Sequence, residues 1–190
     1  MLARRRPTLR GALIAAKAAG YSHVVVDGTV IRIDRLHVPG PNGSDLWWSG
    51  KHKHHGGNVQ VVSAPDGWPL WTSDVRPGRE HDTTALRTND MPATLAEVVA
   101  ELPALADLGY EGEADLLTVA SKKPAGGQLS TDQQAYNALH AALRAIGERA
   151  NTLLKTTFKA LRRVSLDPGR ISDIVGGALV LLHFEHNRTT

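Results

Sequence analysis

The chain has 190 residues, 42% of them hydrophobic and 22% charged, with a formal net charge of +3 and no cysteine. That length makes one domain with a sizeable core, and the missing thiols exclude disulfides and thiolate-ligated zinc or iron–sulfur sites while suiting a reducing compartment. The basic excess is mild and compatible with a polyanionic partner, and no apolar run reaches bilayer-spanning length.

Residues 1–20 read as a basic tail running into a short helix. Residues 21–35 are strand-like and contain Asp27-Gly28. This pair is either a two-residue hairpin turn or the middle of one long strand, with Asp27 on the same face as Val25, Thr29 and Ile31. Residues 39–57 form a loop rich in Gly, Pro, Asn, Ser and His that carries Trp47, Trp48, Lys51 and Lys53. Strands follow at 58–63 and 69–75, separated by the Asp66-Gly67 turn, and the three strands are expected to form an antiparallel meander. Asp82 is placed to cap a helix through Thr88, with His81 beside it as a substrate contact. A second helix is expected over 92–102, a short buried strand over 104–107 and a fifth strand over 116–121.

The longest helix opens at Ser130 or Thr131. Its apolar stripe, Tyr136, Leu139, Leu143, Ile146, Ala150, Leu153 and Thr157, predicts the face that packs on the core. Asp167-Pro168 starts the last helix, apolar nearly all round from Ile171 to Leu182 and so expected to be buried. The order gives an α/β or α+β layout, with a mixed five-stranded sheet flanked by helices.

Three carboxylates stand apart from packing: Asp27 in a β-branched run, Asp107 closing a short apolar segment, and Glu148 opposite the apolar stripe. Acids from separate elements suit a hard divalent cation, which takes oxygen ligands. Each also has a plain reading. Asp27 is a turn residue, Asp107 a cap, and Glu148 a solvated side chain paired with Arg144 four residues earlier, worth a few tenths of a kcal/mol. The Lys51–His55 loop, with Lys53 inside it, fits phosphate contact better than a histidine metal site, because neighbouring histidines seldom converge on one ion. Trp47 and Trp48 either stack on a base or cap the core.

Taken in order, VVVDGT around Asp27, ADLGY around Asp107, and Glu148 with Arg144 four before and Lys155 seven after resemble the DDE transposases of bacterial insertion sequences. The likeness is to the branch related to Harbinger elements. The segments GKHKHHGGNVQVV, Arg76-Pro77-Gly78 with His81-Asp82, and the C-terminal stretch through LVLLHFEH are also similar, so the resemblance covers residues 21–187. Ala141 departs from it, standing where many relatives carry tyrosine. The resemblance implies a ribonuclease H-like catalytic domain over 21–190, in which Asp27, Asp107 and Glu148 hold two Mg²⁺ (or Mn²⁺) ions for DNA strand cleavage and strand transfer. Arg144, Lys155, Lys51, Lys53 and His81 would contact DNA phosphates. It also implies a homo-oligomer when active, acting on element ends and target DNA on the nucleoid in the cytoplasm. Relatives carry a helix-turn-helix region before the first Asp, which this chain lacks. The expectation is therefore a truncated copy or half of a frameshifted protein, its helix-turn-helix a separate partner. Two alternatives stand beside the active enzyme: a non-catalytic DNA-binding remnant, and a host-recruited ribonuclease H-like nuclease.

Overall fold

The computed structural model of the protein describes residues 2–40, 42–165 and 167–190. Its centre is β1 (Val24–Arg32), one unbroken strand. Asp27-Gly28 is therefore mid-strand, and the hairpin-turn reading is excluded. Val24, Val25 and Val26 have no exposed surface. Burying three β-branched side chains outweighs the local turn preference of Asp-Gly.

On one side β1 pairs antiparallel with β3 (His54–Ser63), with Asp27 opposite Val61 and Gly28 opposite Gln60. The short β2 (Trp48–Ser49), β4 (Pro69–Thr72) and β5 (Arg76–Pro77) all pair antiparallel with β3. The expected meander of the first three long strands is present. On its other side β1 pairs in parallel with β6 (Ala104–Leu105). The sheet thus has six strands rather than five. β2 and β5 are two-residue pairings that leave no periodicity to read. Residues 116–121 are not a strand: Thr118 makes a single bridge to Leu105, exchanging hydrogen bonds with Ala104 and Ala106.

Helix α1 (Leu9–Ala18) is capped by Thr8, and it buries Leu9, Ala12, Leu13 and Ala16 in the same core as the sheet. The short helix expected within the first twenty residues is therefore present and packed on the core. α2 (Asp82–Thr88) and α3 (Met91–Ala96) follow β5. α3 ends six residues before the expected limit of 102, and Val98 and Leu102 reach the core from turns beyond it.

α4 (Thr131–Gly147) opens with a full capping box, Ser130 and Gln133 satisfying each other's backbone. It meets α5 (Arg149–Thr157) at Glu148, so the expected single long helix is two. α6 (Ile171–Glu185) follows a 3-10 turn at Pro168–Arg170. It buries Ile171, Val175, Leu179 and Leu182, while Leu181 and Phe184 face out, so it is not buried all round.

The expected packing stripe of α4 faces the wrong way. Tyr136, Leu139 and Ile146 are 40%, 62% and 39% exposed. The residues α4 buries are His140 and Gly147, with Arg144 and Asn137 half-buried beside them. The polar side of the helix is turned inward. Only in α5 does the stripe reach the core, through Ala150 and partly through Leu153.

Candidate active site

The parallel register of β1 and β6 (Val24 with Ala104, Val25 with Leu105) brings Asp27 level with Asp107 when continued by two residues. Neighbouring strands are about 4.8 Å apart. The backbone at Asp107 is still extended. Its side chain accepts a 2.8 Å hydrogen bond from Gly109 N and so caps the following 3-10 turn. Turn cap and acidic group are one residue here, which is why the plain reading of Asp107 was also correct.

Glu148 arrives from the opposite direction. The end of α4 crosses β1 at Gly147, where an added Cβ would lie 2.7 Å from Val25. Only glycine allows that approach. The contact sets the next residue, Glu148, beside the sheet end with its side chain 60% exposed.

Between the acids lies Arg144, whose guanidinium is 3.8 Å from Asp27 and 4.0 Å from Glu148. Asn151, one turn into α5, donates a 2.7 Å hydrogen bond to Asp27. Lys155, one turn further, is half-buried and donates to the Thr29 hydroxyl at 2.6 Å and the Val30 carbonyl at 3.1 Å. Arg144 and Lys155, the residues expected to contact phosphates, both reach β1.

A fourth carboxylate completes the group. Asp82 is not the N-cap of α2. That position belongs to exposed His81, whose side chain makes no capping bond. Asp82 is turned inward instead, to where a Cβ on Gly28 would come 2.2 Å from its Oδ1. It accepts a 2.9 Å hydrogen bond from Asn58. Gln60 donates to Asn58 at 3.1 Å, and the Tyr110 hydroxyl donates to Gln60. Asn58, Gln60 and Tyr110 are all buried. A polar chain thus runs from the ADLGY tyrosine, along one face of β3, to Asp82. Sequence reading missed Asp82 because an acid at a helix start already has an explanation. The signal that could have found it is Asn58 and Gln60 on one face of β3, interleaved with Val59 and Val61.

The electrostatics follow from this crowding. Burial pushes the Asp27 carboxyl from an ordinary 3.8 up to about 6. Arg144 opposes the rise, and the negative charges of Asp107, Asp82 and Glu148 add to it. Burial also raises the Tyr110 phenol, helped by Asp82, Asp27 and Asp107. Burial lowers the Lys155 ammonium against the pull of Asp27. Asp27 thus feels three other acids across the sheet end.

The donor chemistry fits hard divalent cations, which take carboxylate and amide oxygens. Two buried atoms at the site, Asn151 Oδ1 and Arg144 Nε, have no hydrogen-bond partner among the described residues. The first suits a cation or water, the second a phosphate oxygen. As the side chains stand, no three His, Asp or Glu among the described residues converge on one point. Arg144 occupies the space between Asp27 and Glu148.

A cleft of about 460 Å³ opens beside Asp82 and Gly28, lined among others by Trp48, Lys51, His52 and His81. Lys51 is 3.7 Å from Asp82. Lys53, at φ 56°, forms the tip of the exposed β2–β3 turn. The tryptophan pair divides its roles: Trp47 packs on the core, and half-exposed Trp48 faces the cleft with its ring edge-on to His55. His55 is held by Asp45 at 3.0 Å. No helix is long and apolar enough to cross a membrane among the described residues.

Compared with known proteins, residues 26–183 match the family model described as DDE superfamily endonuclease. No curated protein and no solved structure matches the chain.

Proposed function

Because the chain belongs to the DDE superfamily endonuclease family, we propose that it is a metal-dependent enzyme that cleaves DNA strands and transfers them, the catalytic domain of an insertion-sequence transposase with a ribonuclease H-like core. The observation that carries this reading is the register of β1 against β6, which sets Asp27 beside Asp107 while Gly147 brings Glu148 to the same sheet end.

Asp27 and Asp107 would hold the ions from the two strands, and Glu148 would complete the set from the helix. A bound pair of Mg²⁺ or Mn²⁺ ions supplies Lewis-acid activation of a water or 3′-hydroxyl and neutralises charge on the leaving oxygen. Asp82 adds a negative charge on the cleft side and keeps its orientation through Asn58. Arg144 is the residue that changes partner. Without nucleic acid its guanidinium neutralises Asp27 and Glu148; with the acids engaged by cations, it is free to take a scissile-strand phosphate through its planar fork. Lys155 fixes β1 through Thr29 and Val30, and its charge lies near enough to Asp27 to favour the ionised acid. Lys51, Lys53 and His81 line or border the cleft along which a DNA strand would run, with Trp48 as a stacking surface.

A second reading is a DNA-binding remnant that turns over nothing. Arg144 lying between Asp27 and Glu148 favours it. Incubation of the protein with supercoiled plasmid and Mg²⁺ or Mn²⁺ separates the two. Nicked circles formed by the wild type, and not by Asp107→Ala, support the enzyme. Equal conversion by both proteins, or none by either, rejects it.

A further inference from the structure

β1 ends on Arg32, and the chain returns beside that end after α5, where Ile33 and Val164 form a parallel bridge. Val164 N donates to Arg32 O at 2.8 Å and Asp34 N donates to Val164 O at 3.3 Å, so Arg32 comes level with Arg163. Ile33 N donates to His55 O at 3.0 Å, which brings the exposed β2–β3 turn and its Lys53 to the same end. Arg162 is fixed there by the last carbonyls of α5, donating to Lys155 O at 3.0 Å and Thr156 O at 3.1 Å.

The result is a basic ridge. Arg32, Arg35, Lys53, Lys159, Arg162 and Arg163 are all exposed. Asp34 and Asp167 lie beside them, and both are engaged: Asp34 accepts from Arg163, and Asp167 accepts from Gly169 N. Among the described residues the other five cations pair with no acid. An ordinary solvated surface intersperses both signs. Elsewhere on this molecule Arg10, Lys17, Arg87 and Lys122 each pair with a glutamate.

We propose that this ridge docks the duplex arm of the DNA substrate, taking backbone phosphates of an uncut stretch beyond the scissile bond. Four of its six cations are arginines, whose planar forks match phosphate oxygens. Arg32 is five residues along β1 from Asp27, about 17 Å at the rise of a strand, which spans about five base pairs. Lys155 and Arg162 bridge the interval, since Lys155 reaches Thr29 and Val30 while its own carbonyl holds Arg162. The partner is a duplex rather than a single strand. Single strands are gripped by stacking bases on aromatic rings, and no phenylalanine, tyrosine or tryptophan is exposed on the ridge among the described residues. Half-exposed Trp48 lines the cleft instead.

The inference rests on DNA as the substrate, and its test needs no cleavage. A fluorescent duplex and one of its single strands are titrated with the whole chain, without divalent cation, over a range of salt concentrations. Arg32→Gln combined with Lys159→Gln should lower the duplex slope of log affinity against log salt by about 1.8, at about 0.9 per phosphate contact. Both residues are exposed, so the melting temperature should not change, and the single-strand slope should stay as it is. Arg4→Gln combined with Arg5→Gln makes the same charge change on the exposed Leu2–Arg5 turn and should move neither slope. A duplex slope indifferent to the ridge pair, an equal fall for the single strand, or an equal fall with the Arg4 and Arg5 pair overturns the proposal. Plasmid nicking is scored separately. A protein that cuts nothing but shows the slope change upholds the ridge and rejects the enzyme; one that cuts with an unchanged slope upholds the enzyme and rejects the ridge.

Discussion

The two sides of α4 invert the usual rule of apolar inside and polar outside. Its inner side meets the sheet through Gly147, His140 and Arg144 and carries Glu148 to the acids of β1 and β6. Its outer side presents Leu139, Ile146 and four alanines to solvent. By contrast, α1 obeys the rule, with Leu9, Ala12, Leu13 and Ala16 inward. The difference teaches that a helix delivering a charged group to a buried site is oriented by that group. Its apolar residues then go where the geometry leaves them, here to solvent.

The inner side should be sensitive to single changes in a way the outer side is not. The largest effect falls on chemistry. Losing a cation ligand removes several kcal/mol of transition-state stabilisation, so Asp107→Ala or Glu148→Gln should lower the plasmid-nicking rate by about 10³-fold, with the fold intact by circular dichroism. Next comes packing. Gly147→Val forces a side chain onto Val25 and should destabilise by about 1–3 kcal/mol in denaturant unfolding, the usual cost of overpacking. Leu139→Ala on the outer side should stay within about 0.5 kcal/mol. Equal costs on both sides would break the comparison.

The polar chain behind Asp82 gives an intermediate effect. Tyr110→Phe leaves buried Gln60 short of a donor and should cost about 1–3 kcal/mol of stability. It should also lower nicking by about 10-fold, as expected for a residue that orients a charged group beside the cation ligands. A stability loss with no change in rate would make the chain structural only.

A smaller effect comes from Asp27 itself. Its folded pKa of about 6 lies above the ordinary 3.8, so the native state binds more protons than the unfolded state between those values. Stability therefore falls as pH rises from about 4 to about 6, then levels. Asp27→Asn should accordingly stabilise the cation-free protein at pH 7.5, by about 1–3 kcal/mol, the shift being already net of the Arg144 attraction, and should do little at pH 4. Millimolar Mg²⁺ should raise the wild-type melting temperature at pH 7.5 and leave Asp27→Asn unmoved. Melting curves at the two pH values decide both points.

Much of this was legible in the chain. The β-branched run around Asp27, the strands expected at 58–63 and 69–75 (found at 54–63 and, three residues shorter, at 69–72) and the Ser130 cap follow from local chemistry that the tertiary structure keeps. What escaped was set by contacts distant in sequence. β2 and β5 exist only because β3 extends past them. The strand expected at 116–121 is reduced to one bridge. The role of Asp82 depends on Asn58, twenty-four residues away. The orientation of α4 was unreadable because periodicity identifies an apolar face without saying what covers it.

The central claim is that Asp27, Asp107 and Glu148 share divalent cations at the sheet end. Titration of Mn²⁺ at pH 7.5, followed by the paramagnetic signal of the free ion, tests it without requiring DNA or turnover. Saturable binding by the wild type that is lost in Asp107→Ala is the expected result, and binding that is absent or identical in the two proteins would contradict the account.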